Sequence, residues 1–247
     1  MKNANEPLDD DTVSAAPRRS SRLHDKVFEQ VRRGLMVGAF MPGQIMSLRK
    51  LASTFGTSPM PVRGALTRLT VANALEETES GSVRVPRLTP NRLRELFAVR
   101  ELVEGMAAEE ACKKGTPALA QTLTAINEEL LAAIERRDIL GCLSANQRFH
   151  FKLYDAAQSE VLLPLIESLW LQFGPTMYLS LLSPDMPWDA TAHMMILEGL
   201  ATGRPALAKR GLVSDIRNTG RSLEQAIGAQ SSIGMLKSPL SDLYFGA

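Results

Sequence analysis

From Ser58 to Leu69 the chain reads Ser-Pro-Met-Pro-Val-Arg-Gly-Ala-Leu-Thr-Arg-Leu. Val62, Ala65, Leu66 and Leu69 share one face of a helix, which leaves Pro59, Met60, Arg63, Gly64 and Thr67 on the outer face. An arginine carried there into a major groove suits a bidentate contact to guanine, worth roughly 1–3 kcal/mol of discrimination. Ser58 stands at the start of this helix and Arg49 at the start of the preceding one. A hydroxyl or guanidinium beside free backbone N–H groups suits a phosphate. Gly81 lies between two short strand-like runs and lets backbone approach a minor groove closely. These residue types suit the reading of double-stranded DNA. Catalytic signatures are missing by contrast. No HExxH, GxSxG, P-loop or paired-carboxylate constellation occurs, and Cys112 and Cys142 form no CxxC.

The elements that must position these residues follow from periodicity. Leu23, Val27, Val31 and Leu35 form the stripe of a helix starting at Arg22, and Gly38, Pro42 and Gly43 mark its turn. Ser47 caps a short helix, 47–55, with Leu48, Leu51, Ala52 and Phe55 at i, i+3, i+4 and i+7, and Gly56 ends it. Ser58 then serves as N-cap and Pro59 as first-turn residue of the next helix. Two β-like pieces, 75–78 and 82–85, join through Ser80-Gly81 as a hairpin. Helix, helix, turn, helix, hairpin is the order of a winged helix-turn-helix. The expected division is a flexible tail over 1–20, this DNA-binding module over 21–86, a linker over 87–91, an all-helical domain over 92–228 and a C-terminal tail over 229–247. The helices expected beyond the linker are 91–114, 117–137, 139–158, 161–182, 189–201 and 205–226. The fold class is mainly α, with an antiparallel helical bundle behind the winged module.

Charge supports the division. The 247 residues carry a net +1, yet residues 18–86 hold eleven basic against five acidic residues, or +6. Residues 1–17 carry −3, leaving −2 for the remainder. A basic front on a mildly acidic rear is the asymmetry of a nucleic-acid reader attached to something else. Hydrophobic residues at 45% and charged residues at 22% exclude bulk disorder. The first residues are acidic where a signal peptide needs an apolar run. The longest apolar stretch, 161–173, is interrupted by Glu167 and Ser168, so no membrane span is expected and the compartment expected is the cytoplasm.

The stretch Met41-Pro-Gly-Gln-Ile-Met-Ser-Leu-Arg-Lys-Leu-Ala, then Phe55-Gly-Thr-Ser-Pro-Met-Pro-Val-Arg-Gly-Ala-Leu, then Leu69 and Gly81, resembles the GntR family of bacterial transcription regulators. The resemblance covers about 22–86 and implies DNA contacts at Arg49, Ser58, Arg63 and Gly81. Two departures stand out. Pro59 occupies a position where many members carry a DNA-contacting arginine, and Gly64 replaces the glutamate that usually follows Arg63.

Over about 92–225 the chain resembles the helical FCD ligand-sensing domain of the FadR subfamily. The residues that carry the likeness are Leu96-Phe-Ala-Val-Arg-Glu-Leu-Val-Glu, Asn146-Gln-Arg-Phe-His, His193-Met-Met-Ile-Leu-Glu-Gly-Leu and Asp215. The resemblance implies a divalent metal held by an aspartate and three histidines, with a small carboxylate effector beside it. Here the positions are Asn146, His150, His193 and Asp215, so an amide replaces the aspartate and a carboxylate replaces one histidine. Asn146 and His150 are i, i+4 on one helix face, and the other two come from later helices. Such mixed N/O donors suit Zn, Ni or Mn, although an amide is a poor zinc ligand; Asp189 is an alternative donor. The bland reading is that the two histidines are hydrogen-bonded core residues. Two of only three histidines on family ligand positions favour the metal.

Arg100 is the family's conspicuous arginine. It suits a bidentate effector carboxylate or, equally, a salt bridge to Glu101 or Glu104. Tyr178, with Met177 and Trp170, lines the same pocket or fills plain core. The function expected is an effector-responsive transcription regulator that binds a pseudo-palindromic operator as a homodimer. The alternatives are a metal-dependent enzyme with a DNA-binding appendage and an architectural DNA binder.

Overall fold

The computed structural model describes residues 16–180 and 190–230. The expected tails lie almost wholly outside the described residues, as does Asp189. The first helix, α1, spans Ala16–Met36 and begins before the expected Arg22. Pro17 fits its first turn, where a missing N–H breaks no helical bond. Val27, Val31 and Leu35 are buried, while Leu23, nearer its start, is exposed. The second helix, α2, spans Leu48–Thr54, and the Ser47 hydroxyl accepts from the Lys50 N–H at 3.3 Å. The third, α3, spans Pro59–Val71 and buries Val62, Ala65, Leu66 and Leu69, the whole expected stripe. α1 and α2 both pack on α3.

The hairpin consists of β1 (Glu76–Glu77) antiparallel to β2 (Val83–Arg84), with Glu76 opposite Arg84. A third segment extends it. The Met46 N–H donates to the Val83 carbonyl and the Gly43 N–H to the Val85 carbonyl, each at 2.8 Å, and Val85 returns a bond to Gln44. The segment 43–46 is therefore more than the turn that Pro42 and Gly43 suggest. Its backbone stitches the base of the wing to the loop between α1 and α2.

Behind the front module lie α4 (Pro90–Lys114), α5 (Pro117–Glu135), α6 (Ile139–Asp155), α7 (Leu162–Phe173), a 3-10 turn (Gly174–Thr176), α8 (Met177–Ser180), α9 (Thr191–Ala201) and α10 (Pro205–Gln230). α4 and α10 lie along each other and α5 packs on α6. The helix expected over 161–182 is broken at Gly174-Pro175. Proline there supplies no N–H to the preceding turn. A methyl group added at Gly174 would lie 2.6 Å from the Leu35 carbonyl oxygen, so the break sets the end of α7 directly against the main chain of α1. Arg32 of α1 also reaches Glu167 of α7 at 2.9 Å. α5 and α6 stop short of their expected ends, with Arg137 and Gln158 beyond them in the left-handed region at φ 54° and 48°. One apolar core continues from Val27 through Phe173 to Leu223. No described helix is long and apolar enough to cross a membrane.

Candidate functional site

Two groups of residues carry chemistry that a ligand could use, and they lie in different surroundings. On α3, Ser58, Pro59, Met60, Arg63, Gly64 and Thr67 are all exposed. Among the described residues Arg63 has no hydrogen-bond or ion-pair partner. Arg68, little more than a turn further on, is instead pinned to Asp25 at 3.1 Å and stacked 3.7 Å over the Phe28 ring. Ser58 has the extended backbone of an N-cap, but its hydroxyl makes no capping bond and stays available. That corrects the cap expected from sequence. Arg49 is exposed in the first turn of α2. Gly81, at φ 74°, forms the exposed tip of the wing, held by its N–H to the Thr78 carbonyl. A side chain at Gly64 would meet nothing within 4 Å, so the fold itself does not require glycine there.

The second group is buried between α4, α6, α7, α9 and α10. His150, His193 and Asp215 present ligand atoms all within 4.8 Å of one another. His193 is stacked on Phe149 with ring centroids 3.9 Å apart, and its Nδ1 donates to the Asn127 Oδ1 at 2.9 Å. That bond fixes the tautomer and leaves Nε2 as a bare acceptor, buried and unpartnered. Burial pushes the ring's pKa down to about 4, so it is neutral near pH 7.

His150 is oriented by a chain of bonds. Tyr154 gives its single proton to the Glu104 carboxylate, so its oxygen accepts from Nδ1–H of His150 at 3.1 Å. The burial of Tyr154 and the Glu104 charge push its hydroxyl well above the usual range, so it stays protonated. The His150 Nε2 then faces the Asp215 Oδ2 at 3.3 Å. Two lone pairs would repel at that distance, so a proton or a cation belongs between them. Burial by itself would raise the Asp215 carboxyl; the hydrogen bond and charge of His150, aided by His193 and Arg100, hold it below its usual value. Asn146, one turn before His150, is buried on the same helix.

Arg100 is 3% exposed and binds Glu104 through Nε at 2.6 Å and Nη2 at 3.2 Å. The salt bridge expected as one alternative is therefore made. Its Nη1 nevertheless has no partner. The guanidinium lies 3.6 Å over Phe173 and 5.4 Å from the Trp170 ring, whose Nε1 is unpartnered too. An unmet buried polar atom costs about 1–3 kcal/mol. Three such atoms lie in this region: the Arg100 Nη1, and the Trp170 Nε1 and His193 Nε2, whose rings flank that of His150.

The structure thus brings together His150, His193, Asp215 and Arg100, with Asn146 adjacent. Tyr178 is half-buried on α8, with its backbone beside Gly38 of the front module. Sequence reasoning missed Asn127, which has no spacing signal because it lies 66 residues from His193. It also missed Tyr154, whose i+4 distance from His150 was a usable signal.

Comparison with known proteins adds the following. The family described as "Bacterial regulatory proteins, gntR family" matches residues 23–85, and the FCD domain matches residues 95–218. The chain is 31% identical over 153 residues to the HTH-type transcriptional regulator McbR of Escherichia coli, covering 62% of this chain and 69% of that protein. It is 28% identical to the Uxu operon regulator of Haemophilus influenzae, covering 85% and 81%. Among solved structures, E. coli McbR/YncC superposes with a TM-score of 0.76 at 26% identity, covering 82% of this chain and 97% of that one. These relatives are transcription regulators rather than enzymes.

Proposed function

Because the chain belongs to the GntR family, a DNA-binding transcription regulator with an FCD domain, we propose that it is a homodimer whose grip on a pseudo-palindromic operator is set by a small carboxylate. A two-fold operator calls for two α3 helices, one per half-site. Pro59, Arg63 and Thr67 face the bases, Arg49 and Ser58 hold phosphates, and Gly81 brings the wing to the minor groove. The cytoplasm, where such an operator lies, is its compartment.

In the rear bundle the Arg100 Nη1 and Trp170 Nε1 are two donors awaiting acceptors, a match for a carboxylate. The donor set beside them fits a divalent ion. Two neutral imidazole nitrogens and a carboxylate from His150, His193 and Asp215 suit Zn, Ni or Mn, with the Asn146 amide oxygen the weakest of the four expected ligands. When bound, the ion supplies a fixed positive charge to which an effector oxygen can be attracted. The observation that carries this reading is the His193 Nε2. Its ring is locked by Asn127 and its lone pair is aimed at nothing else.

Two routes lead from this chamber to the DNA module. One is the segment 87–89 entering α4, the helix that carries Arg100. The other is α7, where Trp170 and Phe173 touch Arg100 and the next residue, Gly174, abuts the end of α1. A coupling of about 1–3 kcal/mol suffices to change operator occupancy.

The test is titration of metal-stripped protein with Zn²⁺, Ni²⁺ and Mn²⁺, followed by a thermal-shift screen of small carboxylates. One ion per chain, lost in His193→Ala, and a carboxylate response that also weakens operator binding are expected. Unchanged metal content in His193→Ala, or no carboxylate response, overturns the chamber reading.

A further inference from the structure

α3 buries Val62, Ala65, Leu66 and Leu69 along one side. At about 100° per residue, Met60 points within ~10° of the direction opposite the middle of that stripe, and Arg63 lies about 70° to one side. Met60 is thus the residue of the first turn aimed most directly away from the core, and it is 67% exposed. Single exposed apolar side chains are ordinary on a surface. This one stands at the end of the helix that meets base edges in a helix-turn-helix, beside an arginine without a partner among the described residues.

The surroundings of Met60 are poor in hydrogen-bond donors. A helix start leaves four N–H groups free, and Pro59 and Pro61 remove two of them, because proline has none. Gly64, one turn further on, adds no side chain and has open space before it. The front of α3 therefore offers a thioether chain flanked by proline carbon and bare backbone. The prolines also fix the backbone on either side of Met60, so its side chain alone loses freedom on contact.

Base edges in the major groove are hydrogen-bonding groups with one exception, the C5-methyl group of thymine. We propose that Met60 selects thymine by covering that methyl group, one or two base pairs from the guanine read by Arg63. The inference rests on the reading of α3 as the base-contacting helix and adds the base that its apolar front selects. Side chains three residues apart on a helix have Cβ atoms about 5–6 Å apart, and successive bases rise ~3.4 Å. Methionine suits the task, because its unbranched, polarizable chain adapts to an apolar target. A methylated cytosine carries the same methyl group, but beside it lies the N4 donor instead of the O4 acceptor of thymine. Arg63 only donates, so it favours thymine.

The test selects operators from a random duplex pool with the full chain, with Met60→Ala and with Arg63→Ala. Retardation is then measured on the selected site with thymine, uracil, cytosine or 5-methylcytosine at the assigned position. Uracil differs from thymine only by the missing methyl group. In the wild type it is expected to weaken binding about fourfold for each half-site substituted, the equivalent of one buried carbon. In Met60→Ala, with helix content confirmed by circular dichroism, thymine and uracil sites are expected to bind equally. 5-Methylcytosine is expected to bind better than cytosine and worse than thymine. Binding indifferent to uracil at every thymine overturns the inference, as does a uracil effect of full size in Met60→Ala; either result leaves α3 as the reader. A site that prefers 5-methylcytosine to thymine overturns the assignment to thymine. A pool enriched identically by the wild type and Arg63→Ala removes α3 from the groove, and both readings fall.

Discussion

Arg63 and Arg100 are the same side chain in opposite circumstances. Arg63 stands in water on the outer face of α3 with no partner among the described residues. Arg100 is enclosed by Phe97, Phe173 and Trp170 and shares Glu104 with Tyr154. The front module offers its binding groups ready-made on a surface, so its fold has little stake in them. The rear chamber builds its polar groups into the core, where each holds another in place. The first arrangement suits a partner as large and rigid as duplex DNA, and the second a small ligand taken out of water.

The contrast breaks most sharply at Glu104. Glu104→Ala leaves the Arg100 charge and the Tyr154 hydroxyl buried without their partner, and loss of about 3–5 kcal/mol in chemical denaturation is expected. Full stability in that variant would show that the chamber is wet and that the two regions do not differ in kind. Arg63→Ala is the converse experiment. Discrimination between operator and random DNA is expected to fall by about 1–3 kcal/mol in competition retardation, with stability changed by less than ~0.5 kcal/mol. Equal selectivity would remove Arg63 from the readout. The smallest effect sharpens the comparison rather than breaking it. Gly64 sits exposed inside a helix with open space before it, so Gly64→Ala should raise stability by about 1 kcal/mol in a thermal or urea melt. A loss instead would reveal a contact at that face.

Much of the front module was legible in its residues, because its elements are short and locally signalled. The stripe at 62, 65, 66 and 69 is buried, Ser47 caps α2, and Gly81 turns the wing. The third strand-like segment was not legible, since a single bridge from Ile45 to Arg84 leaves no alternating pattern. In the rear bundle, Gly174-Pro175 was available as a break, but the apolar run on either side masked it. Its reason is tertiary: Leu35 and Met36 come from the other end of the chain's core. The pairs Arg100–Glu104 and His150–Tyr154 are each i, i+4 and could be read locally. The bond from Tyr154 to Glu104 that makes them one network spans 50 residues and depends on how helices pack. The same holds for Asn127 and His193, whereas the ends of α5 and α6 were misjudged because Arg137 and Gln158 occupy a backbone region where glycine is the usual signal.

The meeting of Gly174 with the end of α1 has a mechanical meaning. Side chains can swing aside when pushed, but carbonyl and Cα atoms have no rotamers, so this joint has almost no slack. A tilt of α7 would therefore press on the end of α1, on which α3 packs. Over the ~30 Å length of α1, a rotation of about 5° becomes a displacement of roughly 3 Å, which is enough to carry a guanidinium out of register with a base edge.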